Sequence, residues 1–264
     1  MSTDPRILAE LELLSVARLY GLASPAKRPT AEAADPAPVA AAASVASVRA
    51  TRPEPASVPA TAARAGKTAP VAPAPAGVEA MDWDALRAAV LECRRCGLCE
   101  QRKQAVFGVG SPTGPWLFVG EGPGAEEDER GEPFVGQAGR LLDSMLGAAK
   151  LARGRDVYIA NVVKCRPPGN RVPSPAESAA CAAWLDRQVE LVAPKIIVAL
   201  GKTAAIRLTG SEASLASLRG KVHAYRGIPL VVTYHPAYLL RNLPDKSKAW
   251  EDLLFARRSF AALA

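Results

Sequence analysis

The sequence predicts an α/β protein: a three-layer α/β/α domain with a mainly parallel central sheet, preceded by a disordered N-terminal extension. Three observations support this prediction. Apolar runs of strand length alternate with segments of helical periodicity over residues 81–264, the pattern of strands joined by crossover helices. Residues 23–80 contain no Leu, Ile, Met or aromatic residue, and Ala and Pro make up more than half of them. Glycine-rich and polar segments directly follow several apolar runs, as expected of loops at the carboxyl edge of such a sheet.

The N-terminal extension divides into two parts. In residues 1–22, Asp4 can cap a helix that has Pro5 at its first position, and an imperfect apolar face follows. Two interpretations stand for this part: a docking helix for a protein partner, or a poorly ordered terminus. Residues 23–80 cannot bury enough apolar surface to offset the entropy of ordering them, so we expect a disordered linker. Residues 81–264 then form one domain of ordinary size.

The predicted elements of this domain follow one another in a regular order. A capping box, Ser174 to Glu177, starts the clearest helix, and a turn at Arg226-Gly227 separates the last two strands. The predicted helices are 84–91, 139–149, 175–192, one from Thr203 onward, and 247–263. The predicted strands are 116–119, 157–163, 195–200, 222–225 and 230–234.

Charge and hydropathy narrow the classes of protein. The formal net charge is +7, which favours a polyanionic partner. No apolar run approaches the ~18 residues that a membrane span requires. The N-terminus has no cationic segment, continuous apolar core or cleavage site, so a signal peptide is not predicted. We expect no membrane association.

Four of the five cysteines have an uneven spacing. They are Cys93-x2-Cys96, then Cys165 and Cys181, and Cys99 is the fifth. Without a secretory signal, a disulfide framework is disfavoured. Structural zinc usually takes two close pairs of ligands, whereas only one pair is close here. The spacing is compatible with an iron–sulfur cluster, a zinc site or buried free thiols.

Two glycine-containing segments partly resemble nucleotide-binding motifs. Gly201-Lys202-Thr203 resembles the end of a P-loop, but Ile196 stands where that motif needs its first glycine, so we predict a strand-to-helix turn. The Gly120-x-Gly122-x-Gly124 segment lacks the third-glycine spacing of a dinucleotide fingerprint. A nicotinamide enzyme is therefore not predicted.

Two segments carry a specific resemblance to a known family. The segment Gly120-Glu121-Gly122-Pro123-Gly124-Ala125-Glu126-Glu127-Asp128 with Gly131-Glu132-Pro133-Phe134-Val135-Gly136, and the segment His235-Pro236-Ala237-Tyr238-Leu239-Leu240-Arg241-Asn242, resemble the two active-site motifs of family 4 uracil-DNA glycosylases. Cys93, Cys96, Cys165 and Cys181 match the cluster cysteines of that family, and Cys99 has no counterpart. The similarity covers about residues 83–264 and not the extension.

The resemblance implies a uracil-DNA glycosylase-like fold with a structural [4Fe-4S] cluster and hydrolytic release of uracil from DNA. It implies uracil-containing DNA as partner, a monomer, and a cytoplasmic, nucleoid-associated location. A related protein bonds covalently to DNA through a histidine in a basic loop; residues 166–173 contain none, so turnover is expected. Neither motif contains a lysine for a Schiff base, so no lyase activity is expected. The alternative is a non-catalytic DNA-binding or repair-scaffold protein with the same fold and cluster.

Two residues are the candidate catalytic groups. His235 can donate to uracil O2 as charge develops there, and Glu121 can orient or deprotonate the attacking water. Gly122 lets the backbone approach the base. By resemblance Glu127 lies near uracil C5, where it helps exclude a thymine methyl group. The roles of Glu121 and Glu127 can be exchanged at this stage.

The remaining candidates bind the base and the DNA. Phe134 can stack on uracil, and Asn161 can donate to O4 and accept from N3–H, a pattern that cytosine reverses. Leu239 and Leu240 are expected to wedge into the gap left by a flipped nucleotide. The predicted phosphate contacts are Arg241, Arg166, Arg171 and Lys202. Three further acidic residues of this region, Glu126, Asp128 and Glu129, are expected to form a solvated edge.

Overall fold

A computed structural model describes Pro75 and residues 77–263 of the chain. The predicted docking helix at 1–22 lies outside the described residues, as does most of the predicted linker. The last linker residues, Val78–Ala80, form a turn of 3-10 helix, and the Val78 side chain is buried in the core of the domain. Val78, which precedes Met81, the predicted domain start, therefore packs with the domain as an apolar anchor.

Within the described residues, six strands form one sheet. Their bounds are β1 Val109–Gly110, β2 Trp116–Gly120, β3 Val157–Asn161, β4 Ile196–Leu200, β5 Val222–Tyr225 and β6 Ile228–Thr233. Their spatial order is β1-β3-β2-β4-β6-β5. The four inner strands are parallel, and β1 and β5 are antiparallel edge strands. Every residue of β2, β3 and β4 is buried, which explains why these strands are continuous apolar runs in the sequence.

Eight α-helices accompany the sheet in the described residues. Their bounds are α1 Trp83–Leu91, α2 Ala125–Arg130, α3 Gln137–Ala148, α4 Pro175–Val192, α5 Lys202–Thr209, α6 Leu215–Leu218, α7 Pro236–Leu239 and α8 Asp245–Ala261. No helix in this part of the chain is long and apolar enough to cross a membrane.

Two apolar clusters lie on opposite faces of the sheet. Leu117 and Val119 of β2 pack with side chains of α1, α4 and α5. Trp116 and Phe118 of the same strand pack with side chains of α3 and α8. Successive strand residues face opposite sides, so this division makes a sheet covered by helices on both faces. The predicted three-layer α/β/α fold is confirmed.

Most predicted elements agree with the structure to within a few residues. At the start of α4, Ser174 Oγ accepts from Glu177 N at 3.2 Å, and Glu177 Oε2 accepts from Ser174 N at 2.7 Å, which confirms the capping box. The strand predicted at 157–163 ends at Asn161. The helices α2 and α7 lie inside the two motif segments and were not predicted, because both are short and lack apolar periodicity.

Candidate active site

The carboxyl ends of three parallel strands meet at one pocket. Strand β2 continues from Gly120 into Glu121, β3 ends at Asn161, and His235 lies two residues after the end of β6. The cavity between them has a volume of about 470 Å³, within the range of small-molecule sites. The predicted site residues that line it are Glu121, Gly122, Glu127, Phe134, Asn161, Arg171, His235 and Arg241.

Phe134 forms one wall of the pocket from a backbone conformation that is uncommon for its residue type. Its φ is 55°, in the left-handed region, which persists only where the surroundings hold it. Arg153 holds this turn, because its Nη1 donates to Pro133 O at 2.8 Å and its Nη2 to Phe134 O at 2.9 Å. A Cβ at Gly139 would lie 1.8 Å from Phe134 O, so glycine is required there. The ring centroid of Phe134 is 5.4 Å from that of His235.

Asn161 brings a buried amide to the pocket. The residue is 2% exposed, and its Oδ1 accepts no hydrogen bond from the described residues. A buried acceptor of this kind calls for a ligand or water donor. A Cβ at Gly120 would fall 2.5 Å from Oδ1 and 2.7 Å from the Phe134 ring. Glycine at the end of β2 therefore keeps both base-binding candidates in place.

Both carboxylate oxygens of Glu127 accept hydrogen bonds from the backbone. Oε2 accepts from Gly124 N at 3.1 Å, and Oε1 accepts from Val135 N at 2.9 Å and from Gly136 N at 3.0 Å. A Cβ at Gly124 would lie 2.6 Å from Oε2. Glu127 thus ties the start of α2 to the loop that presents Phe134, and little of its accepting capacity is left for a water molecule.

Glu121 offers a more available carboxylate. Its Oε2 accepts a hydrogen bond from Thr203 Oγ1, while its Oε1 accepts none from the described residues. Its backbone carbonyl accepts from Val163 N at 3.1 Å, which fixes the loop against the chain that follows β3. Of the two carboxylates, Glu121 therefore has more accepting capacity left.

His235 is held in one orientation as a neutral imidazole. Its Nδ1 accepts from Ala237 N at 3.1 Å as the cap of α7. Burial, and next the positive charge of Arg241, lower the pKa of His235 to about 4, and Glu127 opposes this shift. A neutral ring whose Nδ1 is an acceptor carries its proton on Nε2. His235 therefore presents an uncharged N–H donor.

The two leucines of the second motif have different environments. Leu239 is fully buried, so the prediction that it wedges into DNA is wrong: the short helix α7 turns this side chain into the core. Leu240 is 39% exposed and is the residue of this pair that can reach a duplex. Adjacent residues at the end of a helix point in different directions. Because α7 was not predicted from the sequence, this difference between Leu239 and Leu240 was missed.

The predicted phosphate-binding cations are not equally free. Arg241 and Lys202 are exposed. Arg171 makes two hydrogen bonds with Glu177, of 2.8 and 2.6 Å, so its charge is largely neutralised. Arg166 donates from Nε to Asn170 Oδ1 at 2.8 Å, which leaves its terminal nitrogens for an anion.

The four predicted cluster ligands gather in one region of the domain. Cys165 and Cys181 are buried, and Cys93 and Cys96 are partly buried against the same apolar cluster. Cys181 lies within electrostatic range of Cys93 and Cys96. The guanidinium of Arg102 donates from Nη1 to Cys165 Sγ at 2.8 Å. Among the described residues, no group of three or more His, Cys, Asp or Glu side chains is spaced to hold a single metal ion.

One expectation for the acidic motif is wrong, and two supporting residues were missed. Asp128 is only 3% exposed and accepts from Lys103 N at 3.0 and 3.1 Å, so it is not part of a solvated edge; Glu129 is exposed as expected. Thr203 and Arg153 were not predicted as site residues. Thr203 lies in the Gly201-Lys202-Thr203 turn, which was predicted from the sequence only as a strand-to-helix turn. Arg153 lies in no recognisable sequence motif.

The fold and the pocket define a class of protein: an α/β/α enzyme with a small-molecule-sized cavity at the carboxyl edge of its sheet. The family model described as the uracil DNA glycosylase superfamily matches residues 107–254. The chain belongs to this superfamily and, within it, to the type-4 uracil-DNA glycosylases.

Similar proteins support this assignment. The type-4 uracil-DNA glycosylase of Thermotoga maritima is 47% identical over 155 residues, which cover 58% of this chain and 80% of that protein. The type-4 enzyme of Pyrobaculum aerophilum is 41% identical over 181 residues, covering 66% of this chain and 92% of that protein. A type-5 uracil-DNA glycosylase of the same organism is 32% identical over 157 residues, covering 50% and 69% of the two chains.

Proposed function

We propose that the chain flips uracil out of DNA into the pocket between Glu121 and His235 and hydrolyses the bond from base to sugar, leaving free uracil and an abasic site. As a uracil-DNA glycosylase, the chain is a hydrolase of N-glycosyl bonds in base excision repair. The observation that carries the proposal is that three groups share one cavity: an aromatic ring, a neutral imidazole, and a buried amide whose Oδ1 has no hydrogen-bond partner among the described residues. A base within a duplex reaches such a cavity only after flipping.

Uracil recognition is assigned to Phe134 and Asn161. The Phe134 ring lines the cavity and offers a stacking surface for the base. The Asn161 amide can donate to uracil O4 and accept from N3–H through Oδ1, which accepts no hydrogen bond from the part of the chain that the structure describes. Cytosine has a donor in place of O4 and an acceptor in place of N3–H, so it would leave buried groups unpaired at a cost of ~1–3 kcal/mol each.

Bond cleavage is assigned to His235 and Glu121. As the bond from C1′ to N1 breaks, its electron pair moves onto uracil, and His235 Nε2–H donates to the O2 atom that gains negative charge. Water then bonds to C1′ and gives its proton to the Glu121 carboxylate. A Cβ at Gly122 would lie 2.8 Å from the Val163 side chain, so glycine allows the Glu121 loop to pack against the segment that follows β3.

Glu127 is assigned a supporting role in the same pocket. It lines the cavity, where its side chain can leave too little room for the methyl group of thymine. Its three backbone hydrogen bonds hold the Phe134 loop. In the proposed mechanism, Glu121 therefore binds the attacking water, and Glu127 shapes the base pocket.

DNA binding is assigned to exposed groups around the pocket. Leu240 is the apolar wedge for the gap that the flipped nucleotide leaves. Arg241, Arg166 and Lys202 are proposed as phosphate contacts, and Arg171 as a weaker one because Glu177 already binds its guanidinium. Contacts of this kind add affinity that depends on salt and not on sequence.

The proposed function is tested with a single-uracil oligonucleotide under single-turnover conditions, with free uracil and abasic sites measured together. Wild type is expected to give both in equal amounts. Asn161→Asp is expected to release uracil at least about 100-fold more slowly, because an aspartate cannot donate to O4.

Gln104→Glu is the control for this experiment. It makes the same change from amide to carboxylate in an exposed residue that does not line the cavity and donates to Glu129 O at 2.7 Å, so uracil release is expected to stay within a few-fold of wild type. Wild type that releases no uracil would overturn the proposed function. A normal rate in Asn161→Asp would overturn the assignment of the base-binding amide.

The cofactor proposal is a structural [4Fe-4S] cluster held by Cys93, Cys96, Cys165 and Cys181. The donor set fits, because four thiols from three segments gather beside one apolar cluster and Arg102 already donates to one of the sulfurs, as groups around cluster sulfurs do. A cluster bound there would supply a cross-link between the loop after α1, the segment after β3 and helix α4.

Loss of a single predicted ligand tests this assignment. Cys181→Ser is expected to remove most of the iron and the visible absorbance and to lower the melting temperature, since metal binding contributes directly to folding. Cys99→Ser is the matched control, because Cys99 is also partly buried in this region but is not an assigned ligand. Equal iron content in the two variants would contradict the ligand set.

A further inference from the structure

The turn between β4 and α5 lies between the two catalytic loops. Strand β4 pairs with β2 on one side and with β6 on the other, so the residues that follow it come between the loop of Glu121 and the loop of His235. These residues are Gly201, Lys202 and Thr203. The proposed mechanism uses neither Gly201 nor Thr203.

Gly201 brings this turn into contact with the histidine loop. Its φ is +87°, and a Cβ built there would lie 2.9 Å from His235 Cβ. Its N–H donates to Thr233 O at 2.8 Å, which joins the ends of β4 and β6. Glycine is required at this position by both the backbone conformation and the close approach of His235.

Thr203 brings the same turn into contact with the carboxylate. Its Oγ1 donates to Glu121 Oε2. Thr203 is the second residue of α5, and a β-branched side chain has few rotamers in a helix. The neighbouring Ala204 and Ala205 are buried against the sheet, so the helix that carries the hydroxyl is fixed. The hydroxyl is therefore a rigid donor to one oxygen of Glu121.

We propose that Thr203 is a positioning residue for catalysis: its hydroxyl holds Glu121 Oε2 so that Oε1 faces the attacking water. This inference rests on the proposed role of Glu121. Thr203 touches neither base nor water in this account, and its effect reaches the reaction only through the carboxylate. Without the hydroxyl, the Glu121 side chain gains rotamers in which Oε1 points away from C1′.

Thr203→Val, which keeps the shape and removes the donor, tests the proposal. Single-turnover uracil release is expected to fall about 10-fold to 100-fold, the range for one hydrogen bond to a charged group, with unchanged affinity for uracil-containing DNA. Thr203→Ser, which restores the donor, is expected to recover most of the rate. If Thr203→Val melts below the assay temperature, Thr203→Ala removes the same donor.

Thr209→Val is the matched control. It makes the same substitution at the other end of α5, where Thr209 Oγ1 donates to Ala205 O at 2.7 Å away from the cavity. We expect a lower melting temperature and a normal rate. A variant series in which Thr209→Val slows uracil release as much as Thr203→Val would assign the effect to helix stability and overturn the proposal.

A double-mutant cycle separates this inference from the proposed function. On a Glu121→Gln background, Thr203→Val is expected to slow the reaction less than about twofold further, because residues that act through one group are not additive. If Thr203→Val slows the Glu121→Gln variant as much as it slows wild type, Thr203 does not act through Glu121. That result would overturn this inference and leave the proposed function standing. A normal rate in Glu121→Gln itself would instead overturn the proposed role of Glu121.

Discussion

Replacing His235 with alanine is expected to slow uracil release about 100-fold to 1,000-fold, the usual cost of removing one preorganised donor to a developing negative charge. Binding of uracil-containing DNA is expected to stay close to wild type, because the proposed phosphate contacts are made by other residues. Single-turnover release of uracil and a separate binding titration measure the two effects.

His223→Ala is the control, since the chain has only two histidines. His223 lies on the edge strand β5, and its Nε2 is 2.8 Å from Leu218 O at the end of α6. The variant is expected to release uracil at the wild-type rate. Equal losses in the two variants would contradict the assignment of the donor.

The pH dependence of the reaction follows from the same imidazole. Burial and the charge of Arg241 lower the pKa of His235 to about 4, below the ~6.5 of a free histidine. The neutral Nε2–H form is therefore the form present from pH 5 to 8, and only acidification below this range protonates it. The wild-type rate is therefore expected to show no break near pH 6.5 that is due to His235. The pH profile of His235→Ala should have the same shape in that range. Nitrogen-15 NMR of the imidazole, with His223 as the internal comparison, measures the tautomer and the pKa.

Glu121→Gln is expected to produce the second large effect, a fall of about 100-fold to 10,000-fold in single-turnover rate, because the amide cannot take the proton of the attacking water.

Glu127→Gln is expected to act mainly on stability. An amide has one accepting oxygen where the carboxylate has two, so at least one N–H among Gly124, Val135 and Gly136 loses its partner. The free energy of unfolding is expected to fall by ~1–3 kcal/mol.

The two glutamate variants serve as controls for each other, since both make the same substitution in the same loop. The rate and the melting temperature of each are measured together. A rate loss confined to Glu127→Gln would exchange the roles of the two carboxylates, which the sequence had left open.

Much of the fold was predictable because burial leaves a direct pattern in the sequence. Strands such as Ile196–Leu200 are covered on both faces and are therefore continuous apolar runs, and the capping box at Ser174 marks the start of α4 without tertiary information. The pocket was predictable for a topological reason, because loops that leave the carboxyl ends of parallel strands converge. The motifs at Glu121 and His235 then supplied the residues for the proposed chemistry.

The predictions that were wrong concern residues whose positions depend on short helices or on contacts between residues distant in sequence. The direction of the Leu239 side chain depends on α7, a helix of four residues too short for any periodicity. The burial of Asp128 depends on the backbone N–H of Lys103, which no local pattern predicts. The proposal that gives the water to Glu121, a point that the sequence left open, rests on the backbone N–H groups that bind the Glu127 oxygens.

The central claim is that uracil binds between Phe134, Asn161 and His235 with its leaving-group oxygen on the imidazole. A crystal structure of the protein with bound uracil tests it most directly. The base is predicted to stack on Phe134 with its O4–N3 edge against the Asn161 amide and its O2 within hydrogen-bond distance, ~3 Å, of His235 Nε2. Uracil bound outside this cavity, or with O2 turned away from His235, would contradict the account.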